Sequence, residues 1–228
     1  INASIAQANA NVTSIKGVIT EKTQELDKLT QNYHRSKSRL ESLVNITERY
    51  DGYGNSIRKI MELKDSNPGI LGVIADIIKV EKQYETAIET ALGGTIQNIV
   101  TDKENTAKEL INYLKVNKLG RATFLPLNAI HSRNTLENDN CINEKGVVGV
   151  ASNLVRVSFE YEGLAKYLLG RILVVDNIEN ALVIARKYKY SLRIVTLEGE
   201  QLNPGGSMTG GAFKNSSNLL GRRREIEE

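Results

Sequence analysis

The sequence contains little of what secreted, membrane and zinc-binding proteins require. Its single cysteine, Cys141, cannot form an internal disulfide, and one cysteine with two histidines is too few for a structural zinc site. No apolar run approaches the ~18 residues of a membrane span, and the first residues lack the basic start and apolar block of a signal peptide. We therefore expect a protein of the reducing cytoplasm without membrane attachment.

Tryptophan is absent and only 3 residues are proline, which is compatible with a long uninterrupted helix. The 30 basic and 27 acidic residues give a formal net charge of +3, so the charge balance does not identify a partner. With 40% hydrophobic and 25% charged residues, the composition excludes disordered and collagen-like chains. The length of 228 residues suits one large domain or two small ones.

Residues 1–49 carry a seven-residue apolar repeat. They include one glycine and no proline, and ten of twelve consecutive a and d positions are apolar or aromatic. A repeat sustained over more than five heptads predicts a coiled-coil strand, roughly 65–70 Å long as a helix. The a and d positions are Ile5, Ala8, Val12, Ile15, Ile19, Lys22, Leu26, Leu29, Tyr33, Ser36, Leu40 and Leu43.

A narrow apolar stripe of this length needs a partner helix. The alternative is an amphipathic helix packed on a globular domain, although such helices rarely run past about 25 residues. Residues 219–228 (LLGRRREIEE) look like the start of a returning strand, because helix-forming residues follow an apolar pair. The predicted organisation is an arm strand at 1–49, a globular domain at 50–218 and a short return strand at 219–228.

Strand-like and helix-like segments alternate through the globular domain. Strands are predicted at 70–80, 95–101, 122–127, 147–157, 171–176 and 192–197, and helices at 56–63, 81–92, 102–117, 160–169 and 178–188. The polar stretch at 128–145, which includes Cys141, predicts a linker or exposed loop. The fold class is therefore α+β, with a long N-terminal helix and a short C-terminal helix.

An internal duplication accounts for this alternation. Residues 72–93 align without a gap on residues 149–170, with seven identities in 22, and a shift of 74 brings Asp102 onto Asp176. Chance likeness between two similar stretches is the alternative. A duplication predicts two mixed α/β subdomains, at about 50–127 and 146–218, joined by the 128–145 loop. Neither would bury much core alone, so we expect them to pack together.

Two glycine pairs stand in the segment 203–211 (NPGGSMTGG). Gly206 and Gly211 have the separation of a phosphate-binding loop, but Ala212 and Phe213 follow where Lys and Ser or Thr belong. Two further interpretations remain, a flexible turn and a close-contact surface where the missing Cβ atoms let another backbone approach. On a strand-like segment, such pairs would suit an edge to which another chain adds a strand.

No catalytic constellation emerges, since His34 and His131 lie apart from any nucleophile and the carboxylates are dispersed. Basic residues give two open interpretations. Lys214 and the run Arg222–Arg224 can form a solvated helix face, because acidic residues follow at once. They can also contact a phosphate backbone, since DNA binding without sequence preference needs only a few positioned cations.

The chain resembles the hinge of the structural maintenance of chromosomes (SMC) proteins, in its bacterial homodimeric form. The motifs that carry the resemblance are TAIETALGG at 86–94, GRATFLPL at 120–127, IVTLEG at 194–199 and NPGGSMTGG at 203–211. The resemblance covers residues 50–228, and a flanking coiled coil is its usual context.

The resemblance implies a ring-shaped homodimer that joins two coiled-coil arms through two interfaces between unequal halves. It assigns Gly205, Gly206, Gly210 and Gly211 to the dimer interface. It also implies weak DNA binding without sequence preference, for which Lys214 and Arg222, Arg223 and Arg224 are the candidates.

By the same resemblance, ATP and magnesium belong to distant heads, and kleisin and accessory subunits bind away from the hinge. The chain itself is then expected to hold no cofactor or metal and to have no enzymatic activity. The expected role is chromosome condensation and segregation on the nucleoid, in a condensin-type complex that entraps DNA. The alternatives are a coil-tethered nucleic-acid-binding domain without obligatory dimerisation, and a nucleotide-binding enzyme, against which the missing Lys and Ser or Thr argue.

Overall fold

A computed structural model describes residues 2–48, 50, 53–131, 134–211 and 218–227. The chain separates into two compact units, residues 1–46 and residues 47–228. Helix α1 (Asn2–Glu48) runs without a break through the first unit, as the absence of proline predicts. Its heptad residues from Ile5 to Leu40 are solvent-exposed, with Leu26 at 62% and Leu29 at 59%. Such a stripe is typical of a coiled-coil strand.

The second unit alternates short helices and strands. In chain order they are α2 (Asn55–Met61), β1 (Ile70–Val73), α3 (Ile74–Ile77), β2 (Lys79–Val80), α4 (Glu85–Leu92), β3 (Ile99–Thr101), α5 (Glu104–Val116), β4 (Phe124–Pro126), β5 (Val147–Val150), β6 (Val155–Arg156), α6 (Glu162–Leu169), β7 (Ile172–Val175), α7 (Ile178–Lys187), β8 (Arg193–Thr196), β9 (Gln201–Leu202), β10 (Met208–Thr209) and α8 (Leu219–Glu227). Short 3-10 turns lie between them at Lys82–Tyr84, Gly93–Gln97, Asn140–Asn143, Ala151–Leu154 and Phe159–Tyr161.

The sheets repeat one topology. In the first sheet, of order β1-β3-β4, β1 pairs antiparallel with β3 and β3 pairs parallel with β4. In the second sheet, of order β10-β9-β8-β7-β5, β5 pairs antiparallel with β7 and β7 pairs parallel with β8. Both antiparallel pairs carry a register shift, between Ile70 and Gly72 and between Val147 and Gly149. The α+β class and the duplication are therefore confirmed.

Two glycines show the duplication at atomic detail. The Asp102 amide donates to the Gly69 carbonyl at 3.0 Å, and the Asp176 amide donates to the Gly146 carbonyl at 2.8 Å. A Cβ on Gly69 would lie 2.8 Å from the Asp102 carboxylate, and one on Gly146 would lie 2.6 Å from that of Asp176. Each repeat therefore needs glycine at this position, because the carboxylate occupies the space of a side chain.

The two repeats form one body. Strands β2 and β6, one from each repeat, pair antiparallel through Lys79–Arg156 and Val80–Val155. The Arg193 guanidinium of β8 donates to the Ala91 carbonyl near the end of α4 at 2.9 Å. The larger buried cluster draws on both repeats, whereas a smaller one combines the second repeat with Leu136 and Cys141 of the 128–145 loop. The repeats pack against each other, as we expected because neither would bury a large core alone.

Three expectations from the sequence were wrong in detail. The strands predicted at 70–80 and 147–157 are each broken, by α3 and by the turn Ala151–Leu154. The strand predicted at 95–101 begins only at Ile99, since a 3-10 turn precedes it. The polar loop at 128–145 is not wholly exposed, because Leu136 and Cys141 are each 1% exposed within the smaller core cluster. Polar neighbours concealed these two apolar anchors.

Candidate functional site

The glycine-rich segment forms a hairpin at the end of the second sheet. Strand β10 pairs antiparallel with β9, Met208 opposite Leu202 and Thr209 opposite Gln201. The turn is closed by the Asn203 amide, which donates to the Ser207 carbonyl at 2.9 Å. The Gly205 amide donates to the Tyr190 carbonyl at 2.9 Å, which ties the turn to the chain just after α7.

Backbone geometry explains three of the four predicted interface glycines. Gly205, Gly206 and Gly211 have φ angles of +90°, +97° and +127°, a region that side chains rarely adopt. Gly210 has no such angle, and among the described residues a Cβ there would meet the Glu200 side chain, whose Cγ would lie 3.1 Å away. At this position the backbone conformation does not require glycine.

The hairpin is also the exposed edge of the sheet. Strand β10 is last in the order of the second sheet, and within the described residues its outer side has no strand partner. All four glycines are exposed, and Met208 between the pairs is 52% exposed. An exposed edge with unpaired backbone groups and an apolar side chain is suited to strand addition.

The first sheet ends in an equivalent way. Strand β4 is last in the order β1-β3-β4, and its outer side is likewise unpaired within the part of the chain that the structure describes. In each sheet, the edge on the side of the parallel strand pair is thus β4 in the first repeat and β10 in the second, and the opposite edges are β1 and β5. The sequence pointed to the glycine pairs as a possible sheet edge, but no sequence pattern identified β4 as an edge strand.

The predicted DNA-binding residues lie on or before α8. Lys214 lies outside the described residues, whereas Arg222, Arg223 and Arg224 are half-buried on α8. Arg223 forms an ion pair with Asp76, and Arg224 forms one with Glu85. A simple solvated helix face is therefore not what the structure shows at these two positions, since both guanidinium groups have carboxylate partners in the first repeat.

The carboxylates around α8 were missed from the sequence. Asp76 also accepts a hydrogen bond from the Tyr50 hydroxyl at 2.8 Å, and burial raises the pKa of Tyr50. Glu89 accepts the Leu220 amide at 3.0 Å, and burial raises the pKa of Glu89. A comparison of the two repeats could have singled out Asp76 and Glu89, because the second repeat has Asn153 and Lys166 at the equivalent positions.

Other polar features are structural. Arg156 lowers the pKa of Glu81 through a hydrogen bond, and Lys187 lowers that of Glu144 in the same way. Among the described residues, no group of three His, Cys, Asp or Glu side chains is placed to hold a metal ion. No described helix is long and apolar enough to cross a membrane. The hairpin and α8 are therefore the candidate functional surfaces.

The fold and these surfaces define a class of protein, a duplicated α+β association domain flanked by coiled-coil helix. Residues 67–185 match the family model for the SMC proteins flexible hinge domain, which covers more than half of the chain. The chain therefore belongs to the SMC hinge family.

Its relatives among curated proteins are chromosome partition proteins Smc. The protein from Clostridium kluyveri is 39% identical over 230 residues, which cover 98% of this chain and 19% of the relative. The protein from Bacillus subtilis is 40% identical over 201 residues, which cover 87% of this chain and 17% of the relative. The chain thus spans about a fifth of the length of the curated relatives it matches.

Solved structures agree in fold. An asymmetric dimer of the Geobacillus stearothermophilus SMC hinge domain is 40% identical, with a TM-score of 0.79 over 86% of this chain and 80% of that one. The Pyrococcus furiosus Smc hinge domain with an extended coiled coil is 30% identical, with a TM-score of 0.59 over 99% of this chain and 78% of that one.

Proposed function

We propose that this chain is a homodimerisation hinge that joins two coiled-coil arms of a chromosome condensation and segregation ATPase. The exposed β10 edge, with a glycine at position 210 that the backbone does not require, is the observation that carries the proposal. The relatives named chromosome partition proteins support the role, and the Geobacillus hinge crystallised as a dimer. The exposed heptad residues of α1 support its assignment as one arm strand.

The dimer is proposed to close through two strand additions. Each protomer offers β4 from its first sheet and β10 from its second, both unpaired on their outer sides within the described residues. If β4 of one protomer pairs with β10 of the other, a two-fold axis generates a second, identical contact and the assembly closes. Each contact would join unlike halves, and Met208 and the half-buried Phe124 would supply apolar area.

Replacement of Gly210 by tyrosine tests this interface. The Cβ of the new side chain would contact the Glu200 side chain within its own chain, and the ring would block a strand approaching β10. We expect the Gly210→Tyr variant to be monomeric in sedimentation analysis at concentrations where the unmodified chain is dimeric. The control is Gly163→Tyr, because a Cβ on Gly163, in α6, has no atom within 4 Å among those tested. A folded Gly210→Tyr variant that remains dimeric would contradict the proposal.

Weak DNA binding without sequence preference is proposed for Lys214 and Arg222–Arg224. Because Arg223 and Arg224 are paired with carboxylates, part of their positive charge is already balanced within the chain. The sharper test is therefore a variant with Lys214→Gln and Arg222→Gln, which leaves both ion pairs intact. We expect its plot of log affinity against log salt to lose about two units of slope if each residue meets one phosphate.

The matched control for this titration carries Lys28→Gln and Lys37→Gln, an equal loss of charge on α1. An unchanged slope in the first variant, or an equal loss in the control, would remove these residues from the DNA site. The alternative role, a coil-tethered nucleic-acid-binding domain, predicts that monomeric Gly210→Tyr protein binds DNA as tightly as the dimer. A hinge that entraps DNA between two arms predicts weaker binding by the monomer.

The remaining assignments belong to the complete protein. We propose that the ATP- and magnesium-dependent heads and the kleisin contacts lie outside this chain, which would have no catalytic activity of its own. A bacterial nucleoid location is proposed on the same ground, the curated relatives being chromosome partition proteins.

A further inference from the structure

Helix α8 lies in a groove of the first repeat, against α3, β2 and α4. Leu219 and Leu220 at its start are 4% and 2% exposed and belong to the larger core cluster. The rest of its contacts are largely polar. Arg223 pairs with Asp76 on α3, and Arg224 pairs with Glu85 on α4. At the far end, Lys79 of β2 pairs with Glu227 at 2.6 Å.

The first turn of α8 has two acceptors for its free amides. The Asn218 side chain accepts the Gly221 amide at 3.0 Å, as an N-cap residue does. Glu89, from α4, accepts the Leu220 amide at 3.0 Å. A helix start carries partial positive charge, so an acceptor with carboxylate oxygens suits this position. Asp76, Glu85 and Glu89, here called the α8 triad, thus contact the helix at its start and along its length.

The second repeat has a counterpart of this groove. A cavity of about 380 Å³ beside α8 is lined in part by Ala75, Asp76, Ile78, Lys79 and Val80. A cavity of about 390 Å³ in the second repeat is lined in part by the residues 77 positions later, Ser152, Asn153, Val155, Arg156 and Val157. Its other described lining residues come from α6 and from Glu137, and none comes from a helix equivalent to α8.

The two grooves differ in charge where α8 is contacted. The counterparts of Asp76, Glu85 and Glu89 are Asn153, Glu162 and Lys166. An asparagine cannot balance the charge of an arginine, and a lysine can accept no hydrogen bond from a helix amide. Lys166 would also place a positive charge beside the positive end of the helix. The second groove therefore retains one of the three carboxylates, and the other two changes oppose docking.

We propose that the α8 triad determines which repeat binds the return strand. The second repeat lacks two of the three carboxylates, and its groove therefore binds no such helix. Asp76 also accepts the Tyr50 hydroxyl, from the segment that follows α1 in the chain. One carboxylate thus contacts both the segment that enters the second unit and the helix that leaves it. The return strand is anchored on the same repeat as the entering segment.

An exchange of residues between the repeats tests the proposal at constant composition and net charge. The variant carries Asp76→Asn, Glu89→Lys, Asn153→Asp and Lys166→Glu in the full chain. Hydrogen exchange of the α8 amides, read by mass spectrometry, is expected to accelerate about tenfold or more, while that of β7 is unchanged. Alternatively, α8 moves to the second groove, and residues 152–166 gain protection. Either result supports the proposal.

The control carries only Asn153→Asp and Lys166→Glu, and its α8 amides are expected to exchange as in the unmodified chain. If the fourfold variant does not fold, Arg223→Gln and Arg224→Gln provide separate single changes that spare the repeats. Each is expected to accelerate α8 exchange, and the effect of each should shrink at high salt. Protection of α8 that is unchanged in the folded variants, with no gain at residues 152–166, would overturn the proposal.

Discussion

At the residue scale, the glycines of this chain differ in the physical reason that excludes a side chain. Gly69 and Gly146 make room for a carboxylate, so a side chain is excluded by contact, and at Gly146 the φ angle of +86° disfavours one as well. Gly205 and Gly206 close a hairpin with positive φ angles, so a side chain is excluded by backbone conformation. Gly210 has no positive φ angle, and a Cβ there would lie 3.1 Å from the Glu200 side chain; a position at the proposed dimer interface would be a further reason for glycine. The sequence shows all five as glycine, and only the coordinates separate contact from backbone conformation as the cause.

Glu89 yields a prediction about pH. Burial raises the pKa of Glu89 above its value in the unfolded chain, so ionisation destabilises the folded state. The free energy of unfolding therefore falls as pH rises from the unfolded pKa through the folded one. Glu89→Gln keeps an oxygen acceptor for the Leu220 amide without the charge. We expect the variant to gain stability relative to the unmodified chain as pH rises.

Urea unfolding of both proteins at several values from about pH 4 to pH 8 measures this difference. The variant and the unmodified chain should approach each other at the acid end, where Glu89 is protonated in both states. A difference that does not depend on pH, or one that grows towards acid pH, would contradict the assigned direction of the shift.

At the scale of elements, the heptads and the helices were predictable and the short strands less so. Helix α5 was predicted at 102–117 and is found at Glu104–Val116, because its apolar face recurs with helical spacing. The predicted strand at 70–80 contains β1, α3 and β2, since a continuous apolar run has no period that separates a buried strand from a buried turn of helix. Only tertiary pairing resolves such segments.

For helix α8, the sequence predicted the secondary structure but not the contacts. Its sequence predicted a helix, and a helix is found at Leu219–Glu227. Its basic run was open to interpretation as a solvated face or a DNA contact, because neighbouring acidic residues were the only visible partners. The partners found are Asp76 and Glu85, which lie 147 and 139 positions away along the chain. No local pattern reports contacts at that separation.

At the scale of the whole molecule, the two repeats depend on one core. The larger cluster combines residues of both repeats, such as Ile88 and Leu169, whereas the smaller cluster contains none from the first repeat. The antiparallel pair β2–β6 and the bond from Arg193 to the Ala91 carbonyl add polar connections. Stability of the first repeat should therefore depend on residues of the second that line the shared core.

Two leucine-to-alanine changes test this dependence. Leu169 and Leu173 are both 0% exposed, but Leu169 lies in the shared cluster and Leu173 in the second-repeat cluster. Each change should cost about 3 kcal/mol of unfolding free energy through lost burial and a residual cavity. Only Leu169→Ala is expected to accelerate local hydrogen exchange of β3, in the first repeat. Equal exchange of β3 in the two variants would show that the repeats open independently.

The amino-acid sequence alone determined the long N-terminal helix, the duplication, the position of the glycine pairs and the family, because each depends on spacing or identity along the chain. Tertiary structure was needed for three further points: the edge position of β10, the core shared by the repeats, and the docking of α8 on the first repeat. Those features depend on contacts between residues far apart in the sequence, whose burial and charge pairing exist only once the repeats have packed.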